Sequence, residues 1–503
     1  MGADGRPLLP EAAWRGLSTG LAALGVIVEY VDDLQPVVDL KATSLEQIEA
    51  LRAAPFVSYV EPGSYPAESI LHSQCASGPI KHEIRQGTLP EGDKISGAFS
   101  LHYVADAWDY SDGSGITIGV IDTGTSTNQP QLNAAFDNGQ SSGRTLSHRF
   151  TNPNFSGAEL WHDGCGHGTK VAGLVAAPRD GQSTVGVAYG ANLVTVRATD
   201  ETAFASQQWS HVRDAIDIAA NDAPIVTMSI GSIFHYQGIE DRINYWYNGL
   251  PAQTNHNREV IFFGAAGSNF QGIGSGNDGV IFPASLDNVI AVTGLDPDHP
   301  DDHGAAENSF RGPKVDFAMH ISGVVPYLTP GSETGLGGSS GASPLAAGVA
   351  ALVWSKYPSW NRQQVIDRLV ESSVYHTQSF PRRDDIGHGP ISAYQAVGGF
   401  SIDTGGPLTV TESGTYTFTA DASSLDGGGT YTYDWGMYGT GSSVDISIPL
   451  QNENYQFEIF LSATNTQTGF TRQAKHTVYV VAEGCDPTQI ECDDGGFGGG
   501  GGF

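Results

Sequence analysis

The chain has 503 residues, with 24 Lys plus Arg against 55 Asp plus Glu and a formal net charge of −31. Only 16% of residues are charged, below the ~25% usual for soluble domains. The acidity therefore comes from scarce basic residues, which excludes the basic stripe that nucleic-acid binding needs and docking on anionic lipid. No run of about 18 apolar residues could span a bilayer, and at ~150 residues per domain the length predicts about three domains. Four cysteines, Cys75, Cys165, Cys485 and Cys492, are too few for a disulfide scaffold and show no metal-type C-x-x-C spacing. Cys485 and Cys492 could close a small loop. Met1 to Arg6 has no basic n-region followed by an apolar stretch, so no secretory leader is read there.

Residues 1–65 read as a small α+β unit. A helix is expected over Leu9–Leu24 and strands over Val26–Tyr30 and Val37–Leu40. Thr43 and Glu46 fit a capping box for a helix running to about Arg52. A further strand, Phe56–Val60, is stopped by Glu61-Pro62-Gly63. Residues 66–95 lack periodicity and read as a linker or arm. From 96 to 400, apolar runs alternate with helical stretches. The strands expected are Ile116–Ile121, Ala191–Arg197, Ile225–Ile230, Val260–Gly264 and Val289–Thr293. The helices expected are His167–Ala177, Gln207–Ala220, Pro344–Lys356 and Arg362–Glu371. That alternation predicts an α/β fold with a doubly wound, mostly parallel sheet. Residues 401–483 change to short Thr-, Tyr- and Val-rich strands with Gly turns, an all-β sandwich with Trp435 in its core. Residues 484–503 are a Gly-rich tail.

Three segments carry chemistry. Gly119-Val120-Ile121-Asp122-Thr123-Gly124 puts Asp122 at the C-terminal end of a buried strand, where open α/β sheets form sites. His167-Gly168-Thr169-Lys170-Val171-Ala172-Gly173 opens a helix with His167. Gly338-Ser339-Ser340-Gly341-Ala342-Ser343-Pro344 leads into an Ala-rich helix, with Pro344 in its first turn and Ser340 just ahead of the N-terminus. A serine hydroxyl is a weak nucleophile until a neutral His takes its proton, and a buried carboxylate holds that His in the required tautomer.

In this order the three motifs resemble the subtilisin-like serine proteases, the subtilase family. Val185-Gly186-Val187-Ala188, Val226-Thr227-Met228-Ser229-Ile230-Gly231, Ala265-Ala266-Gly267, Phe282-Pro283-Ala284 and Val289-Ile290-Ala291-Val292 extend the likeness in sequence order. The resemblance implies a serine endopeptidase with Asp122, His167 and Ser340 as the triad and no catalytic cofactor. It implies protein or peptide substrates and a monomer. Where the family usually reads Ala-Ala-Gly-Asn, this chain reads Ala265-Ala266-Gly267-Ser268-Asn269. Register points to Ser268 as oxyanion donor and side-chain chemistry to Asn269. Ser229, Ile230 and Gly231 are expected to pair with an extended substrate, Gly267 to line the pocket before the scissile bond, and Ile281 to make that pocket shallow. Residues 25–62 resemble an inhibitory propeptide that would act as the chain's own intramolecular inhibitor, with activation cleavage between Tyr65 and Ser77. The loop Pro178–Thr184 has the length of the family's calcium loop. Asp180 is its candidate ligand, although the family's Pro-Asp-Leu is here Pro130-Gln131-Leu132. Cys165 could be a packed small residue, half of a bridge to Cys75, or a modifiable thiol. The C-terminal sandwich resembles the PKD-like modules of secreted proteases, which places the protein outside the cell. The rival reading is an inactive subtilase-like domain that binds a peptide or partner.

Overall fold

The computed structural model describes residues 18–31, 37–61, 86–152, 159–204, 208–249, 251–268, 279–296, 304–306, 309–321, 324–375, 377, 380–451 and 454–481. Seven strands build the central sheet: β1 Thr117–Asp122, β2 Leu146–Phe150, β3 Asn192–Arg197, β4 Ile225–Met228, β5 Ile261–Ala265, β6 Ile290–Leu295 and β7 Phe317–His320. All neighbours are parallel, in the order β7-β6-β5-β4-β1-β3-β2. Apolar side chains on both faces of β1 and β3–β6 explain why those strands are continuous runs. Ile118 and Val120 of β1 join one core, and Ile121 joins another.

Helices cover both faces: α1 His167–Ala176, α2 Trp209–Asp222, α3 Gln237–Asn248, α4 Ser339–Lys356 and α5 Arg362–Glu371. Val171, Val175 and Val349 bring α1 and α4 to the first core, and Ile216, Ile239 and Ile243 bring α2 and α3 to the second. The chain leaves β1 toward β3 and β2 on one side and crosses to β4 on the other. A crevice therefore opens beside the C-terminal end of β1, as the doubly wound topology requires.

The N-terminal unit keeps its antiparallel pair, Ile27–Val31 with Val38–Lys41, packed on the helix Leu45–Ala53. Two expectations there are corrected. The cap is Ser44, whose hydroxyl accepts from Gln47 N, and the Gln47 side chain returns to Thr43 N at 2.6 Å. No reciprocal box closes, because the Gln47 side chain takes the N–H of the residue before the cap and not that of Ser44 itself. Phe56–Val60 forms no ladder. Phe56 is 45% exposed, and the segment ends instead at the contact made by Glu61. Helix α4 starts at Ser339, earlier than expected, so Pro344 lies inside it.

Beyond Phe400 two sheets face each other. One joins Phe400–Gly405, Gly414–Ser424 and Ser443–Ile448. The other joins Thr409–Val410, Thr471–Val480, Tyr455–Asn465 and Tyr431–Asp434. Phe418, Trp435, Ile459 and Val478 fill the space between them. This unit is fastened to the α/β domain: Arg368 pairs with Asp426 at 2.9 Å, and Arg472 lies over Tyr103 and Tyr394.

Candidate active site

Asp122 closes β1 and is 1% exposed. Its Oδ1 accepts from Thr123 N at 2.8 Å and stands 2.8 Å from Nδ1 of His167, the first residue of α1. With a proton on Nδ1 donated to the carboxylate, Nε2 is left as the base. Close approach of strand and helix depends on Gly168. A Cβ there would lie 2.3 Å from Gly124 O and 3.1 Å from Asp122 Cβ.

Ser340 is the second residue of α4, which packs against α1. Pro344 has no N–H to return to the Ser340 carbonyl. That carbonyl accepts instead from Ser229 Oγ at 3.0 Å, so the proline frees the group that ties the Ser340 turn to the end of β4. Ser340 Oγ has no hydrogen-bonding partner among the described residues, His167 included. Such contacts are often long without substrate and close when it binds. The positive end of the α4 dipole lies at Ser340.

Ser268 faces the same turn. Its Oγ accepts from Ser339 N at 3.2 Å and lies 3.2 Å from Ser339 Oγ, which accepts from Gly267 N at 3.0 Å. Asn269 lies outside the described residues. Gly231, Gly267 and Ile281 lie together. A Cβ on Gly231 would meet Ile281 Cδ1 at 2.3 Å, and one on Gly267 would meet Ile281 Cγ2 at 3.2 Å and Phe310 Cδ2 at 2.6 Å. Ile281 thus fills the space between the two glycines. The backbone of Gly231 is already engaged, donating to Thr202 O and accepting from Phe204 N at 3.0 Å each. An added peptide therefore cannot pair along the whole of 229–231. Ile230 is 2% exposed and packs in the α2–α3 core.

In the loop at 178–184, Asp180 Oδ1 accepts from Gln182 N. Asp93 packs beneath it, fully buried, with Oδ1 accepting from Gly181 N at 2.8 Å. Asp93 Oδ2 and Thr184 Oγ1 are buried with no hydrogen-bond partner. Burial raises the Asp93 carboxyl, and the charges of Asp180 and Glu91 push it further up. Gln131 is also here, accepting from Ser183 Oγ. Among the described residues no three His, Cys, Asp or Glu side chains gather as a metal cluster. Oxygen donors with unmet demand still fit a hard cation, which takes loop carbonyls and amide oxygens as readily as carboxylates. Cys165 is disulfide-bonded, which removes the free-thiol reading, and Cys75, Cys485 and Cys492 all lie outside the described residues.

A model of the subtilase family matches residues 113–400, more than half of the chain, a span that holds the whole sheet and Asp122, His167 and Ser340. The chain belongs to the subtilase family. It is similar to subtilisin E of Bacillus subtilis, 28% identical over 353 residues that cover 70% of this chain and 78% of that protein. Thermitase of Thermoactinomyces vulgaris is 27% identical over 293 residues, 58% of this chain and 91% of thermitase. A thermostable alkaline protease of Halalkalibacterium halodurans is 31% identical over 264 residues, 52% of this chain and 63% of that protease. This subtilase is accordingly a serine endopeptidase, and the binding-only alternative is not favoured. No helix among its described residues is long and apolar enough to cross a membrane.

Two residues of this subtilase site escaped sequence reasoning. Phe310 packs against Gly267 from a loop without motif. Asp163 lies beneath Asp122 and His167, and its signal was available: an acidic residue four positions before His167, at a helix start.

Proposed function

We propose that the chain is the zymogen of a secreted endopeptidase whose triad is Asp122, His167 and Ser340, with residues 1–65 as its inhibitor. The observation that carries the zymogen reading is Glu61. Its carboxylate accepts from the backbone N–H groups of Gln237 and Gly238, the first residues of α3, where a helix terminus favours an anion. Asp39, on the antiparallel pair, faces the buried Arg213 of α2 at 3.6 Å. The N-terminal unit is thus held by carboxylates against the two helices beside the substrate crevice. Cleavage between Tyr65 and Ser77 separates the unit from the enzyme. Incubated precursor should acquire a new N-terminus in that interval, and the Ser340→Ala precursor should stay whole. Equal processing of both would refute self-cleavage. The disulfide at Cys165 supports an oxidising compartment and hence secretion.

In the reaction, Ser340 Oγ attacks the peptide carbonyl as His167 Nε2 takes its proton. Asp122 stabilises the imidazolium, which then protonates the leaving amine, and water releases the acyl group by the same route in reverse. Ser340 N–H is one oxyanion donor. When Ser339 Oγ–H donates to Ser268 Oγ, the Ser268 hydroxyl hydrogen is left to serve as the other. Ser268→Ala is then expected to lower kcat by about 10²–10³-fold. A loss below about threefold, inside the ordinary context-dependence of such contacts, assigns the role to Asn269.

Ile281 and Phe310 leave a shallow pocket before the scissile bond, suited to small side chains. Ile281→Gly should raise kcat/KM for a Phe at that position by at least about tenfold relative to Ala. A preference of the unaltered enzyme for Phe or Tyr in a peptide library would contradict the pocket.

Asp180 and Asp93 would hold a structural calcium ion, which supplies positive charge between two carboxylates and no step of catalysis. Chelation should then lower Tm by about 5 °C or more. An unchanged Tm leaves the buried oxygens to water. The C-terminal pair of sheets is read as a PKD-like module on likeness of fold alone.

A further inference from the structure

Beneath the triad lies a second carboxylate that the mechanism above does not use. Asp163 is fully buried. Its Oδ1 accepts from Cys165 N at 3.0 Å, Gly166 N at 2.7 Å and Thr123 Oγ1 at 2.9 Å. Its Oδ2 accepts from Thr169 N at 2.8 Å and Thr169 Oγ1 at 2.6 Å. Thr123 directly follows Asp122, and its hydroxyl also accepts from Gly168 N at 2.9 Å. Gly166, the residue before α1, has no side chain to cap the helix. Asp163 performs that task and, through Thr123, clamps the end of β1 to the first turn of α1. The backbone adds two rungs, Thr125 N to Trp161 O and Asp163 N to Thr125 O, each 3.1 Å.

One turn beyond His167, Lys170 is 3% exposed. Its ammonium forms no hydrogen bond or ion pair among the described residues, and Nζ lies 5.9 Å from the Tyr327 ring centroid. Burial pulls its ammonium down, while the charges of Asp122 and Asp163 push it up. Burial raises the Asp163 carboxyl, opposed by its bonds from Thr169 and Gly166, and the Asp122 charge adds to the rise. The elements packed on α1 bring few other charges. Arg197 of β3 lies beside Asp122 in register and pairs with Asp200. Lys356 is at the far end of α4. The segments Val324–Pro326 and Pro130–Leu132 carry none.

We propose that Asp163 is a positioning residue for the Asp122–His167 pair and that Lys170 is the buried cation that balances the two carboxylates, so that together they govern how readily His167 takes a proton. The proposal rests on the triad reading. Neither side chain touches substrate in it. Removing the Asp163 charge destabilises the imidazolium, and removing the Lys170 charge stabilises it. The two variants must therefore move the His167 titration in opposite directions.

The test is the pH profile of kcat/KM, and of labelling by a fluorophosphonate, for Asp163→Asn and Lys170→Met expressed as the full chain and assayed after processing has removed the N-terminal unit. Asp163→Asn should lose about 10–100-fold in kcat with KM little changed, as expected for a loosened catalytic geometry. Its acid limb should move to lower pH by about half to one unit, and that of Lys170→Met to higher pH by a similar amount, the scale of a buried charge several ångströms away. Limbs that stay in place, or move the same way in both variants, overturn the proposal while leaving the triad intact. Absence of labelling in the unaltered enzyme would instead overturn the triad. Should Asp163→Asn fail to fold, Lys170→Met decides alone: an acid limb that does not rise rejects the proposal.

Discussion

Ser340→Ala is expected to lower kcat by about 10⁶-fold without altering the fold. The nucleophile leaves, and what remains is substrate binding and the oxyanion donors, which act only on the slow attack of water. Ser340 Oγ has no hydrogen-bonding partner among the described residues, so alanine strands no donor or acceptor, and Tm should stay within a degree or two, the shift for about 0.5 kcal/mol. The bond that holds the turn, from Ser229 Oγ to the Ser340 carbonyl, is made by the backbone and survives. Steady-state hydrolysis of a peptide substrate, with melting as the control, measures both. Retention of even one per cent of activity would remove Ser340 from its role.

Asp122→Asn should cost about 10⁴-fold in kcat with KM nearly unchanged. Asp122 Oδ1 receives both Thr123 N–H and His167 Nδ1–H at 2.8 Å. An amide of the same shape keeps both bonds only with its oxygen in that place; turned the other way it presents N–H to both Thr123 N–H and Nδ1 and keeps neither. The proton then moves to Nε2, and the base facing Ser340 is lost. Asp122 is 1% exposed, so bulk water cannot substitute. A loss below tenfold would mean that the carboxylate merely packs.

The parts of this arrangement legible in the sequence are those written in local patterns. β1 and β3–β6 are apolar runs, and their expected bounds differ from the observed ones by a residue or two. Asp122, His167 and Ser340 each belong to a motif whose glycines answer a steric demand, as Gly168 does against Gly124 O. The edge strands were not legible for the opposite reason. Leu146-Ser147-His148-Arg149-Phe150 mixes polar residues into a strand with one neighbour, and Phe317–His320 has only four residues, with Phe317 alone a strong strand former. Helix α3 did carry a signal, Ile239, Ile243 and Trp246 on one face, but its Tyr-Trp-Tyr end obscured the period. What no local pattern could show is the use of Gly231 by Thr202 and Phe204, or of Asp163 by Thr123. Both join segments far apart in the chain.

The most direct measurement is covalent labelling with a fluorophosphonate of the full chain after incubation has let it process itself, followed by peptide mass mapping. An Asp122–His167–Ser340 triad predicts a single phosphonylated residue, Ser340, with labelling abolished in His167→Ala. Modification of a different serine, or none at neutral pH, would contradict it.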